Sequence, residues 1–123
     1  MSYDPTYVYS TFNKETESNL IAVGSGKGHI EFFSLEHSEG SFKISKTAEI
    51  TNPNKITYIQ KHGDILFLGD SMGIIRMCKW SKNEVEKIPS SLGSHTTMIT
   101  SILVQGEYLH TFSMDNKYSV WKL

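Results

Sequence analysis

Three groups of residues in this chain have the types that chemistry needs. His95, Ser113 and Asp115 are the members of a nucleophilic triad, with Trp121 a few residues further on. Such a triad works when the histidine takes the serine proton, the aspartate orients the imidazole and an oxyanion hole receives the developing charge. Gly24-Ser25-Gly26-Lys27-Gly28 has the glycine and lysine content of a phosphate-binding loop. That loop needs Gly-x-x-x-x-Gly-Lys-Ser/Thr followed by a helix. Here Ile21 stands for the first glycine and Gly28 for the Ser/Thr, and a strand-like run follows, so the segment reads as a tight turn. The histidines are His29, His37, His62, His95 and His110, and the one cysteine is Cys78. No two of them have metal-ligand spacing. No metal and no cofactor are expected, and Cys78 reads as a small buried hydrophobe.

The elements that must position these residues emerge from the last sixteen, Tyr108 to Leu123. Tyr108 to Phe112 is an apolar, aromatic run, Ser113-Met114-Asp115-Asn116 has turn chemistry, and Tyr118 to Trp121 returns as a strand. The same hairpin pattern occurs twice upstream, from Leu20 to Leu35 and from Ile65 to Trp80. The three segments align without a gap. Leu20, Ile65 and Tyr108 are 45 and 43 residues apart, as are Leu35, Trp80 and Leu123. Strand-only units repeating at this period point to propeller blades.

The third unit resembles a repeat of the tryptophan–aspartate (WD) family. In that motif a Gly-His pair precedes the first strand, a Ser or Thr ends the second, and an Asp in the following turn stands six residues before a Trp. Gly93, His95, Ser113, Asp115 and Trp121 match it, with Ser94 inserted between Gly and His and Lys122 in place of the terminal Asp. The middle unit has Met72 and Cys78 at the Asp and Trp positions, and the first has Lys27 and Phe33. The resemblance covers nearly the whole chain. It implies a structural role for His95, Ser113, Asp115 and Trp121. They would form a buried hydrogen-bond chain from the indole N–H through Ser and His to the Asp, not a catalytic triad.

The expected fold is all-β, a partial β-propeller of three four-stranded antiparallel blades, the last lacking its outer strand. The blades cover about residues 6–51, 54–89 and 95–123. No window sustains a helical apolar period. Polar loops are expected over Asn13 to Asn19, Glu36 to Ser41 and Ser81 to Asn83, and the last strand of the middle blade over Glu84 to Ile88. A closed ring needs at least about four blades, so three leave open edges that invite pairing. Tyr7 and Tyr9 on the first strand, and Tyr118 and Val120 on the last, are the expected partner contacts, with Tyr3 a further aromatic near the N-terminus.

Composition narrows the function. With 12 basic and 13 acidic residues the net charge is −1, and no basic cluster predicts nucleic acid or an anionic membrane as a partner. The N-terminus lacks the basic and apolar regions of a signal peptide, and no apolar run approaches the roughly 20 residues of a membrane span. The expected location is intracellular, in cytoplasm or nucleus. The resemblance implies a non-catalytic protein–protein interaction scaffold. It would be a half-propeller completed by another chain or, as a homodimer, by a second copy. A small β-domain enzyme or ligand-binding protein with fortuitous repeats is the alternative; convergent carboxylates or a metal cluster would mark it, and the sequence has neither.

Overall fold

The computed structural model describes residues 4–13, 18–81, 84–93 and 95–123. Tyr3, most of the loop expected at Asn13 to Asn19, and most of the turn at Ser81 to Asn83 lie outside them. The strands are β1 Pro5–Asn13, β2 Ser18–Ser25, β3 His29–Ser38 and β4 Ser41–Thr51; β5 Ile56–His62, β6 Ile65–Asp70, β7 Ile74–Ser81 and β8 Glu84–Gly93; β9 Ile99–Gln105, β10 Tyr108–Ser113 and β11 Tyr118–Lys122. They form two four-stranded sheets and one three-stranded sheet, each an antiparallel meander in chain order. The fold is the all-β partial propeller expected, and the last blade lacks an outer strand among the described residues.

One boundary moves. β8 runs on past Pro89 to Gly93, where the sequence reading placed a linker. A register shift opposite Arg76 and Met77 lets the ladder skip Pro89 and Ser90. Proline cannot donate to a ladder, so a bulge on an edge strand is where a strand tolerates it.

The turns between the second and third strands of each blade close by one device. The Ser25 hydroxyl accepts the Lys27 and His29 N–H groups at 3.3 and 3.0 Å. Asp70 Oδ1 accepts those of Met72 and Ile74 at 2.9 and 3.1 Å. Asp115 Oδ1 accepts the Lys117 N–H at 2.9 Å. Side-chain oxygens bonding backbone two to four residues on are the mechanism that makes Ser and Asp turn formers. Each turn ends in a left-handed residue, Gly28, Gly73 or Asn116, with φ of 81, 85 and 62°.

Alternating strand residues point to opposite faces, so each blade has two packing surfaces. Leu20, Ala22, Ile30 and Phe32 meet Ile56, Ile59, Leu66, Leu68 and Trp80 between the first two blades. The rings of Phe32 and Trp80 meet edge-on at 5.0 Å, a favoured aromatic geometry. Phe67 and Ile75 meet Ile99, Ile102 and Leu109 between the second and third blades.

Both joints also share a polar clasp. In β1, β5 and β9 the register skips one residue, at Thr6, Thr57 and Thr100. The first two bulged threonines each donate across the joint, Thr6 Oγ1 to the Ile56 carbonyl and Thr57 Oγ1 to the Ile99 carbonyl, both at 2.6 Å. A glycine makes room for each isoleucine. A Cβ on Gly24 would lie 2.6 Å from Ile56 Cγ2, and one on Gly69 would lie 2.6 Å from Ile99 Cγ2.

Candidate interaction surfaces

The third blade brings His95, Ser113 and Asp115 together at one turn, but not as a triad. His95 Nε2 bonds the hydroxyl of Thr111, at 2.9 Å. Its Nδ1 stands 3.7 Å from Asp115 Oδ1, beyond hydrogen-bonding distance. Ser113 instead bonds Thr97, hydroxyl to hydroxyl at 3.0 Å and to the Thr97 carbonyl at 3.2 Å. The serine therefore has no histidine base. The Trp121 indole is half-buried against Leu109 and its neighbours, and its Nε1 has no hydrogen-bond partner among the described residues. The expected run from indole through serine to histidine is thus not made; Thr111, which the sequence reading passed over, is the hydroxyl that holds His95.

The carboxylate of Asp115 has its own work. Burial pushes its carboxyl upward, but the Thr96 and Lys117 backbone N–H groups and the Ser113 and Thr96 hydroxyls outweigh it and hold the pKa at about 2. Hydrogen bonds to the charged form are the cause. The second blade repeats the plan with other residues. Asn52 and Asn54 donate to Asp70 Oδ2 at 3.4 and 3.3 Å, at the positions of His95, Thr97 and Ser113 in the alignment. What recurs is a clasp between the segment entering a blade and the neighbouring turn.

The other chemical candidates are placed plainly. Gly24 to Gly28 is the end of β2 and the turn into β3, with no helix after it. Cys78 is fully buried, and burial pushes its thiol to about 12. Among the described residues no group of three His, Cys, Asp or Glu could hold a metal. A polar cleft of about 500 Å3 runs between β4 and β8, lined by Thr47, Lys79, Ser81, Glu84 and Glu86 among others. It is the gap between the outer strands of two blades, and it gathers no nucleophile with a base.

The informative surfaces are the two sheet faces at the ends of the array. The outer face of the third blade carries Leu103, Tyr108, Phe112, Tyr118 and Val120, all exposed. His110 bonds and stacks on Tyr118 there. The outer face of the first blade carries Val8, Phe12 and Ile44, all exposed, beside Lys46, which bonds Glu49 and lies 3.3 Å from Glu31. Tyr118 and Val120 stand where the partner contacts were expected. Tyr7 and Tyr9 do not: period-two alternation turns them inward, half-buried against the second blade, where Tyr7 meets Tyr58 at 4.7 Å between ring centroids. Burial and the Tyr58 hydroxyl push the Tyr7 phenol to about 12. Val8 and Phe12, which the sequence reading missed, are the exposed large apolar residues of β1. Alternation along β1 was the signal that could have found them.

These faces matter by comparison with their buried equivalents. Val8 is 58% exposed, whereas Ile59 and Ile102 at the same position are 0% and 1%. Val120 is 46% exposed, whereas Phe32 at its position is 0%. Surfaces built like the inside of a joint stand open.

Comparison with known proteins agrees with this architecture. The chain superposes on a chain of a Mitotic Checkpoint Complex crystal structure with a TM-score of 0.68 at 13% identity, over 98% of this chain and 44% of that one. It matches the computationally designed Ika8 protein with a TM-score of 0.54 at 13% identity, over 93% of this chain and 45% of that one. It matches the designed Ika4 protein with a TM-score of 0.53 at 12% identity, over 100% and 93% of the two chains. At such identity the likeness is one of fold, and that fold is propeller-like. The chain spans less than half the length of the first two. No protein-family model matches the chain, and no curated protein is similar to it in sequence. Among the described residues no helix is long and apolar enough to cross a membrane.

Proposed function

We propose that the chain is a non-catalytic protein-interaction scaffold, a WD-type half-propeller that another protein chain completes. The observation that carries this is the pair of open faces, apolar at positions that are covered in the internal joints. Contiguous apolar surface of this kind marks a site that another protein covers. The fold analogy adds support, since one structural neighbour is part of the Mitotic Checkpoint Complex; fold by itself does not assign function. His95, Thr111, Ser113 and Asp115 act in this reading as a structural clasp, and Trp121 as packing. Tyr118 and Val120 contact the partner. Near-neutral net charge fits a protein partner better than nucleic acid, and the single buried Cys78 fits a reducing intracellular compartment, cytoplasm or nucleus.

In-cell photo-crosslinking tests it. A photoreactive residue is placed at Val120 in one variant and at Val8 in another. Each is expected to give a discrete protein adduct of defined mass. A control at exposed Glu107, on the β9–β10 turn, is expected to give none. Absence of protein adducts from both faces would overturn the reading.

A further inference from the structure

We propose that the partner is a second copy of this chain, whose first blade docks on the outer face of the third blade to close a six-bladed ring of two chains. This rests on the half-propeller reading above and gives the completing chain an identity.

The argument comes from the repeated joint. Each joint uses three positions: a bulged threonine that donates, a carbonyl on the next blade that accepts, and a small residue facing a large one. In the first joint these are Thr6, the Ile56 carbonyl, and Gly24 against the Ile56 side chain. In the second they are Thr57, the Ile99 carbonyl, and Gly69 against the Ile99 side chain. The third donor is present. Thr100 occupies the same bulge in β9 and is exposed. The third acceptor is present as well. Pro5 pairs with Ser25 as Ile56 pairs with Asp70 and Ile99 with Ser113, so its carbonyl is the counterpart of theirs, and Pro5 is an exposed residue. They stand on the third and first blades, with the second blade between, so only a separate copy brings them together.

The sizes at the open joint are inverted in a matched way. Phe112 stands where Gly24 and Gly69 stand, and it pairs with Ser101 as they pair with Tyr7 and Tyr58. A phenylalanine there has no room for an isoleucine on the arriving strand, because even a single methyl would come within 2.6 Å of one. The first blade presents Pro5 at that position instead. Proline is smaller and cannot reach forward as isoleucine does, so the bulk has moved from one side of the joint to the other. A partner built on the pattern of the two internal joints would bring isoleucine and strike Phe112; the first blade of this chain does not.

The turn nearby points the same way. At Gly28 and Gly73 the link between blades passes so close that an added Cβ would lie 2.0 Å from the Asn52 carbonyl oxygen and 2.5 Å from that of His95. Asn116 occupies the third of these positions with a full side chain. A link on the same path has no room there, as suits a blade that arrives on another chain. Two such head-to-tail contacts in a pair form a closed ring, and six blades lie within the usual range of about four to eight.

The test is a double-mutant cycle read as dimer dissociation on the purified chain. Light scattering across a dilution series should give twice the 13.9 kDa of one chain. Phe112→Gly opens a hole opposite Pro5, and Pro5→Ile strikes Phe112, so each alone should weaken the dimer by about tenfold or more. The two together restore the pair found at the internal joints and should return the dimer to within about threefold of the parent, a coupling that only direct contact produces. Thr100→Val, at an exposed residue that leaves the blade intact, should weaken the dimer several-fold, and Thr100→Ser should not. A monomer, an open-ended polymer, additive effects or an indifferent Thr100→Val would each overturn the proposal. A monomer whose Val120 still crosslinks to some other protein in cells would overturn the second copy and leave the scaffold reading standing. Absence of any adduct would overturn both.

Discussion

Gly69→Ala tests the joint between the second and third blades directly. The new methyl would lie 2.6 Å from Ile99 Cγ2, 2.9 Å from Ile99 Cβ and 3.3 Å from Ile102 Cδ1. Carbon atoms prefer about 3.5 to 4.0 Å, so the overlap approaches 1 Å. Ile99 Cβ is fixed to the backbone, and rotating the side chain cannot clear it. β9 must move away from β6, at the centre of a joint where Ile99, Ile102 and Leu109 are at most 1% exposed. Overpacking of this kind costs about 1 to 3 kcal/mol. The backbone entropy lost by replacing glycine returns about 0.5 to 1 kcal/mol. The net destabilisation expected is about 1 to 2 kcal/mol, a fall in melting temperature of several degrees. Ile99→Ala alone should cost about 2 to 5 kcal/mol by truncation. In the double variant the shortest contact, with Ile99 Cγ2, is gone, and the space left by the truncated side chain lets β9 shift to relieve the contacts with Cβ of residue 99 and with Ile102 Cδ1, so the costs should be sub-additive by about 1 kcal/mol. Urea denaturation followed by tryptophan fluorescence reads this, because Trp80 and Trp121 pack in the two joints. A neutral or stabilising Gly69→Ala, or strict additivity with Ile99→Ala, would refute the close approach and the blade packing that depends on it.

Further expectations follow from the titrating and buried groups. Cys78, fully buried with its thiol pushed to about 12, should resist iodoacetamide at pH 8 in the native protein and react on unfolding; rapid native labelling by mass spectrometry would contradict its burial. The Asp115 carboxyl is depressed from 3.8 to about 2. Its contribution to stability is therefore present above the unfolded value and lost as the pH falls from about 4 towards 2. Asp115→Asn should remove that part of the acid dependence in a melting series, and an unchanged acid limb would count against the turn geometry. Thr111→Val should cost about 1 to 3 kcal/mol by stranding buried His95, whereas Trp121→Phe loses packing but no indole hydrogen bond and should cost less. The reverse order in denaturation would mean that the indole, not Thr111, anchors the clasp.

The architecture was legible because its signals are periodic. Three hairpins at spacings of 45 and 43 residues, with turn residues in register, left little choice of fold. The clasp was less legible. His95 and Asp115 were found, but the motif assigned Ser113 as the middle hydroxyl, and Thr111 at two residues' remove holds the histidine instead. Both project from the same face of β10, and only the distance between side chains separates them. Tyr7 and Tyr9 misled for another reason. Aromatic content drew attention to them, while the alternation that turns Val8 and Phe12 to the open face carries the real information. Pro89 disguised the second half of β8 because a bulge opposite Arg76 and Met77 depends on pairing that a single strand cannot display.

The gapless alignment held one further message in its exceptions. Glycine at 24 and 69 has a steric reason in each case, an isoleucine of the next blade. The third copy of that position is Phe112, and the third copy of the isoleucine position is Pro5. Either change alone conflicts with the joint that the other two copies define. Together they describe a joint with its bulk on the opposite side, and Thr100 and the Pro5 carbonyl keep the donor and acceptor that the other joints use. Repeats that differ at random would not be expected to change both sides of one contact while sparing its hydrogen bond. The two residues lie on the first and third blades with the second between them, so the contact they would share is the one proposed between two copies.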